Sequence, residues 1–459
     1  MSVREFTVAP NHLAAERAAA GIAEPAALAD RAGIEPWLYE HIEAGRMLPT
    51  KAQLDRLRAA LGDIPAERLY RNDMLQLMAS TAYSSASSIP TPRGNMDWVA
   101  GPMKLFVSRD EVTWTEETRE LPGRPVDAFI TMSCGTRATP HLLLDALAAA
   151  GALDVAFVAA SGPAGCCGKP YLSRGQFEAG EAFSLSKVHY AQQIGAKAIV
   201  TSCHACMQNA LTAAARREIL DGTQHPVREI WIGNFLAERV AELGDRVPWK
   251  RSLSHKVLLD AHGEHGATLE ATQGMARLLS LIPGVEVVGE LDGELAAIRA
   301  CGTSITAKPG RRPQWRAPEQ HREEADARAA LLADLVQARG ADTVSSTHFS
   351  CHNMWSRYAS DRMRVRHCVS LLAEALGVGH PDRAQAAAHL GDPVEVVRQT
   401  RPIWETWGLS EDEAFRLASD SIYPKDAGPI GCSCEAHGFE DVIPIDVLRG
   451  ASPGLTPVP

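Results

Sequence analysis

Two hydrophobic patterns divide the chain. Residues 10 to 72 carry apolar side chains at helical spacing, interrupted by Gly33, Gly45 and Pro49, which predicts a small helical module. From residue 126 onward, short apolar runs such as VDAFITMS, VAFVAAS and AKAIVTS alternate with helical stretches such as HLLLDALAAAG. This alternation is typical of βαβ units, so it predicts a largely parallel α/β sheet.

The apolar pattern also repeats within the chain. GAKAIVTSCHACM at 195–207 aligns with GADTVSSTHFSCHNM at 340–354, and GCCG at 165–168 aligns with RACG at 299–302. The run KVLLDAHGEHG ends close to the point that corresponds to Cys134. The sequence therefore predicts a tandem pseudo-repeat of two parallel-sheet domains, with the second copy beginning near residue 251.

The remaining segments complete the domain plan. Between the two patterns, a Ser-rich stretch precedes MKLFVS and EVTWTEE, which we interpret as a linker with a β lead-in. After residue 375 the chain reads as helical, with Ser410 and Glu413 spaced as a capping box. The predicted divisions are a helical domain at 1–75, a linker at 76–125, the two repeats at 126–250 and 251–380, and a helical tail at 381–459.

Composition narrows the class of protein. The 459 residues include 45% hydrophobic side chains and carry a formal net charge of −10. No apolar run approaches the roughly 20 residues of a membrane span, and the start MSVREFTVAP has no signal-peptide core. We expect a cytoplasmic protein without membrane insertion, and the acidic charge disfavours broad nonspecific binding to nucleic acid.

Five cysteines carry the strongest chemical signal: Cys134, Cys166, Cys167, Cys203 and Cys206. They follow predicted strands closely, and the carboxyl ends of parallel strands meet at one edge of a sheet. Adjacent cysteines pair with each other only under strain, yet they can direct two thiolates at one inorganic core. Metal ligation is therefore favoured over disulfides, and over catalytic or unligated thiols.

The motif Cys134-x31-Cys166-Cys167-Gly168-x34-Cys203-x-x-Cys206 resembles the cysteine-rich CCG domain of heterodisulfide reductase and of related lactate- and glycolate-oxidation proteins. The resemblance implies that the five cysteines hold a non-cubane [4Fe-4S] cluster. It also implies an iron–sulfur oxidoreductase that acts on a small sulfur-containing substrate, such as a thiol or disulfide, or relays electrons. It does not identify the substrate, because the domain occurs in several enzymes.

Two motifs are missing from the sequence. There is no ferredoxin run Cys-x-x-Cys-x-x-Cys-x-x-x-Cys, and no Gly-x-Gly-x-x-Gly follows a strand. We therefore expect electrons to come from a partner protein that carries flavin or cubane iron–sulfur clusters.

The second repeat replaces thiolates by imidazoles. Its predicted ligands are His262, Cys301, His348 and Cys351, with His265 as a substitute. Two thiolates and two imidazoles can satisfy zinc or a mononuclear iron. A decayed repeat with buried structural side chains is the alternative.

The tail contains Cys432 and Cys434, in a Cys-x-Cys-x-x-His group. Three roles stay open for this pair: completing the second site as a metal or cluster ligand, acting as a redox-active thiol pair near the first cluster, or lying on the surface without a role.

The N-terminal order LADRAG, a turn at Ile34, then YEHIEAGRMLPT resembles the Cro-like helix-turn-helix of phage repressors. Reading DNA requires basic or amide side chains on the second helix, but that helix begins with Glu35, Pro36 and Trp37. A docking or dimerisation module, including a homodimer contact, is favoured over a DNA binder. Two alternatives remain: a redox-sensing transcriptional regulator, and a metalloenzyme whose second site does the chemistry.

Overall fold

Two parallel four-stranded sheets form the centre of the protein, seen in a computed structural model. The described residues are 11–45, 49, 51–71, 75, 103–114, 121–133, 139–160, 165, 167, 177–203, 206–207, 210, 227–260, 266–291 and 318–422. The strands of the first sheet are β1 Ala128–Thr131, β2 Phe157–Ala160, β3 Ala198–Thr201 and β4 Arg228–Trp231. Those of the second are β5 His255–Asp260, β6 Val285–Glu290, β7 Thr343–Ser346 and β8 Arg364–Val365.

The two sheets share one strand order. It is β2-β1-β3-β4 in the first sheet and β6-β5-β7-β8 in the second, and every pairing is parallel. The α/β class and the parallel sheets predicted from the apolar runs are confirmed. Strands β1 and β3 are buried along their whole length, which explains their continuous apolar character, since helices cover both faces of a parallel sheet.

Helices account for most of the remaining described chain. In the N-terminal module they are α1 Leu13–Ala19, α2 Pro25–Ala32, α3 Pro36–Glu43 and α4 Lys51–Ala60. Around the sheets they are α5 His141–Ala152, α6 Phe177–Gln193, α7 Ile232–Leu243, α8 Gly266–Leu281, α9 Pro318–Ala338, α10 Phe349–Ser356 and α11 Cys368–Ala375. The tail adds α12 Arg383–Leu390, α13 Pro393–Gln399, α14 Arg401–Trp404 and α15 Glu411–Ile422. No helix in these described ranges combines the length and hydropathy that a bilayer crossing requires.

One apolar core connects the two sheets. Leu147 from the first half and Met275 and Leu372 from the second belong to the same buried cluster. Helices α7 and α8 approach closely: a Cβ added to Gly274 would lie 2.1 Å from the side-chain oxygen of Asn234. Glycine is therefore required at this crossing, and the halves pack as neighbours that share hydrophobic surface.

The N-terminal module packs against the first sheet through α3. Trp37 stacks on Tyr190 of α6 with ring centroids 6.2 Å apart, and His41 Nε2 lies 3.0 Å from the side-chain oxygen of Gln193. Glu35 and Glu40 remain exposed. The helix that would read DNA in a helix-turn-helix thus contacts the protein's own core. The resemblance to that motif stays a prediction.

The strand predicted in MKLFVS is wrong. Residues 103–106 are helical, and Arg109–Glu111 forms a 3-10 helix with a capping box to Ser108. Leu105 and Phe106 are both buried against helices of the tail, so consecutive apolar residues here serve a helical contact and not an alternating strand. In EVTWTEE, the described residues 111–114 form no strand, and the rest lies outside the described residues.

The helical tail is observed over Arg383–Ile422 with the predicted cap. The backbone N–H of Ser410 donates to Glu413 Oε2 at 2.8 Å, and the N–H of Glu413 donates to Ser410 Oγ at 3.3 Å. Reciprocal bonds of this kind satisfy two donors at the start of α15. This segment contacts residues 103–114 from the start of the chain's α/β part.

A buried ion pair joins α6 to the edge strand β4. Lys187 Nζ donates to Glu229 Oε1, and both side chains are fully inaccessible to solvent. Burial raises the pKa of Glu229, while Lys187 opposes that shift. Each charge is therefore tolerated only because its partner is present.

We expect Lys187→Met to lower the free energy of unfolding by about 3–5 kcal/mol, because it leaves the Glu229 carboxylate buried and unpaired. Urea unfolding followed by tryptophan fluorescence measures the loss. The matched control is Lys197→Met, which breaks an exposed pair with Asp127 and should cost less than about 1 kcal/mol. Equal losses in the two variants would contradict the structural role of the buried pair.

Candidate metal centre

Three of the five motif cysteines meet in one buried cluster. Cys167, Cys203 and Cys206 pack together with Phe349, with exposed fractions of 7%, 5% and 9% for the cysteines. None of the cysteines in the described ranges is disulfide-bonded. Cys134 and Cys166 lie outside the described residues. The convergence predicted from the sequence is thus visible for the three cysteines that the structure describes.

The strand ends bring the cysteine loops together. Thr131 at the end of β1 pairs with Ala160 of β2 and with Thr201 of β3, so the three strands end at one level. The backbone N–H of Ser133 donates to Ser202 Oγ at 2.9 Å. This bond ties the chain just before position 134 to the chain just before Cys203.

The Cys-x-x-Cys segment forms a turn. The backbone N–H groups of Cys206 and Met207 both donate to the carbonyl oxygen of Cys203, at 3.0 and 3.3 Å. A turn of this type places the two sulfurs near each other at the start of a helical segment. The spacing of two residues therefore has a direct geometric purpose.

Cys167 is positioned from two sides. Ser184 Oγ on α6 donates to the carbonyl oxygen of Cys167 at 2.8 Å. Gly165 lies against the end of β2, where an added Cβ would be 2.9 Å from the carbonyl oxygen of Ala160. A side chain at position 165 would push the loop away from the sheet, so glycine is needed to bring this part of the GCCG segment to the cluster.

The thiols of this cluster resist ionisation in the protein alone. Contacts with Cys167 and Cys203, together with burial, raise the pKa of Cys206 well above 9.0, its ordinary value. A bound cation reverses this preference, because a coordinating thiol is deprotonated outright. Grouped sulfur ligands select soft metals and iron–sulfur clusters, so this donor set fits a thiophilic metal group.

The second predicted ligand set is described only in part. His348 stacks on Phe349 with ring centroids 4.5 Å apart, beside the cysteines of the first half. Cys351 is fully buried in an apolar cluster that includes Leu258 and Trp355. The other predicted ligands lie outside the described residues: His262, His265, Cys301, Cys432 and Cys434. The second metal site therefore stays a prediction.

A polar group absent from the sequence predictions lies nearby. His141 Nδ1 is 3.3 Å from Asp382 Oδ1, and His352 Nε2 is 3.5 Å from Asp382 Oδ2. Burial lowers the pKa of His141, with Asp382 opposing the shift, and the two histidines keep the pKa of Asp382 low despite its burial. One signal was available in the repeat alignment, which places His352 opposite the buried apolar residue Met207.

Residues 132–209 match the family described as the CCG cysteine-rich domain, a domain typical of heterodisulfide reductase. The matched segment contains all five cysteines of the motif. Among curated proteins no match to this chain is found. The match indicates a metal-binding, iron–sulfur redox protein and agrees with the cluster of buried thiols.

In the metal-free protein, we expect the free energy of unfolding to fall as pH rises above 9.0, the ordinary thiol pKa. The folded protein keeps Cys206 protonated to higher pH than the unfolded chain does, so ionisation favours unfolding. Thermal midpoints from about pH 8 to about pH 10 measure this. The slope should be shallower in Cys206→Ala, and identical slopes in the two proteins would contradict the assignment.

Proposed function

We propose that this protein is an iron–sulfur oxidoreductase of the heterodisulfide reductase type. Its five first-half cysteines would hold a non-cubane [4Fe-4S] cluster and act on a thiol or disulfide. The observation that carries the proposal is the buried meeting of Cys167, Cys203 and Cys206 at the ends of parallel strands, inside the segment that matches the CCG domain.

The reaction class follows from what such a group supplies. When bound, an iron–sulfur cluster provides electrons singly, which suits stepwise cleavage of a sulfur–sulfur bond. The balanced reaction takes one disulfide, two electrons and two protons and yields two thiols. We propose that the electrons come from a partner protein with flavin or cubane clusters.

The chain's own residues have three roles in this proposal. The cysteines bind the cluster, and the turn at Cys203 sets their spacing. Phe349 packs in the same buried cluster as the three described cysteines and shields them from water. His348 stacks on that ring, so we assign it as a candidate proton carrier for the departing thiol.

The competing regulator function requires a DNA-reading helix. Packing of Trp37 and His41 against α6 occupies one side of α3, and the exposed Glu35 and Glu40 would repel phosphate. These features favour a docking role for the N-terminal module.

The disulfide-reduction proposal is tested anaerobically with a reduced viologen as electron donor and a panel of small disulfides. We expect the wild-type protein to produce thiols, and Cys203→Ser to lose more than the roughly 10–100-fold that removal of an outer-sphere metal contact costs. Acid-labile sulfide should fall in the same variant.

The control for that assay is Cys368→Ala, because Cys368 is buried in the apolar core of α11 and not in the cysteine cluster. Its activity and sulfide content should match the wild type. Full activity and sulfide in Cys203→Ser would contradict the proposal.

For the N-terminal module we expect no sequence-selective DNA binding. A gel shift of the full-length protein with genomic fragments, repeated across a series of salt concentrations, is the measurement. Any fragment that is retained selectively at high salt would instead support the regulator function.

A further inference from the structure

Three residues from separate parts of the fold converge at one point. His141 is the first residue of α5, His352 lies on α10, and Asp382 is the N-cap of α12. They therefore come from the first half, the second half and the helical tail. One ligating atom from each lies within 4.8 Å of the other two.

The two imidazoles are deeply buried and lack ordinary partners. His141 is 5% exposed and His352 is 1% exposed. Among the described residues, His141 Nδ1 and both ring nitrogens of His352 have no hydrogen-bond partner, because the contacts to Asp382 lack hydrogen-bond geometry. Buried polar atoms left in this state cost free energy unless another group satisfies them.

The distances suit a shared ion. Two ligands held at about 2.1 Å from a tetrahedral ion lie roughly 3.4 Å apart. The observed separations between nitrogen and carboxylate oxygen are 3.3 Å for His141 and 3.5 Å for His352. Little movement would be needed to place an ion between these atoms.

The surroundings hold the carboxylate in place. The backbone N–H of Gln385 donates to Asp382 Oδ1 at 2.9 Å. Asp145, one helical turn beyond His141, accepts a bond from the backbone N–H of His380 at 2.7 Å. These bonds anchor the segment before α12 to α5, so the three candidate ligands belong to a fixed arrangement.

The comparison between repeats points the same way. His352 occupies the place that Met207 has in the first half, and Met207 is fully buried in the apolar core. An imidazole at a core position normally held by an apolar side chain needs a compensating interaction. Asp382 alone provides contacts without hydrogen-bond geometry.

We propose that His141, His352 and Asp382 bind one divalent transition-metal ion. Two imidazoles and one carboxylate suit zinc or ferrous iron and leave at least one coordination position for another ligand. The site differs from the second ligand set predicted from the sequence, and it ties both halves of the protein to the helical tail.

The proposed ion would lie close to the cysteine cluster. Phe349 packs with Cys203 in that cluster, and His352 follows it by three residues on α10, on the same side of the helix. One helix therefore contributes a shielding ring to the first centre and a ligand to the second.

The test is metal and sulfide analysis of the full-length protein, followed by titration with cobalt(II) as a spectroscopic probe. We expect about one ion per chain that is lost in Asp382→Asn and in His352→Met, with sulfide unchanged. Cobalt(II) should give visible d–d absorption without a thiolate charge-transfer band. Its affinity should fall by more than about 10–100-fold in each variant.

Asp382→Asn retains an oxygen that can accept the N–H bond at the helix start, so α12 keeps its cap. The matched control is Asp392→Asn, at the N-cap of α13, where Asp392 accepts from the N–H of Val394; it should keep the full metal content. Equal metal content and equal cobalt titrations in wild type, Asp382→Asn and His352→Met would overturn the inference. Loss of sulfide with retention of this ion would refute the iron–sulfur proposal and support this one.

Discussion

The common level at which β1, β2 and β3 end is the constraint on which the candidate site depends. Parallel pairing aligns Thr131 with both Ala160 and Thr201, so the loops that follow must leave the sheet at one edge. Cysteines placed shortly after these strands meet without long excursions of the chain. The ligands are thus close in space because of backbone hydrogen bonding, and the side chains of the site need only complete the arrangement.

The second half contributes directly to that edge. It has the same strand order as the first, and it shares a continuous apolar core with it. Its helix α10 places Phe349 on the cysteines and His352 beside Asp382. The altered repeat has therefore acquired a function in covering and extending the first centre, whatever becomes of its own predicted ligands.

Much of this was readable from the sequence, for a physical reason. Buried parallel strands are short and continuously apolar, so β1 and β3 were evident, and their ends located Cys203 and Cys206. Periodicity failed in MKLFVS, where burial of Leu105 and Phe106 depends on helices far along the chain. His141, His352 and Asp382 were missed because no local spacing connects residues that only tertiary packing brings together. The helix-turn-helix order was visible in the N-terminal module, but the docking of α3 on α6 was not.

The central claim is that the first-half cysteines hold an iron–sulfur cluster. The most direct measurement is iron and acid-labile sulfide content of the anaerobically purified full-length protein, read together with its electron paramagnetic resonance spectrum. The account predicts about four iron and about four sulfide per chain at this centre, with a spectrum that changes when a thiol is added. Protein that contains zinc and no sulfide at these cysteines would contradict it.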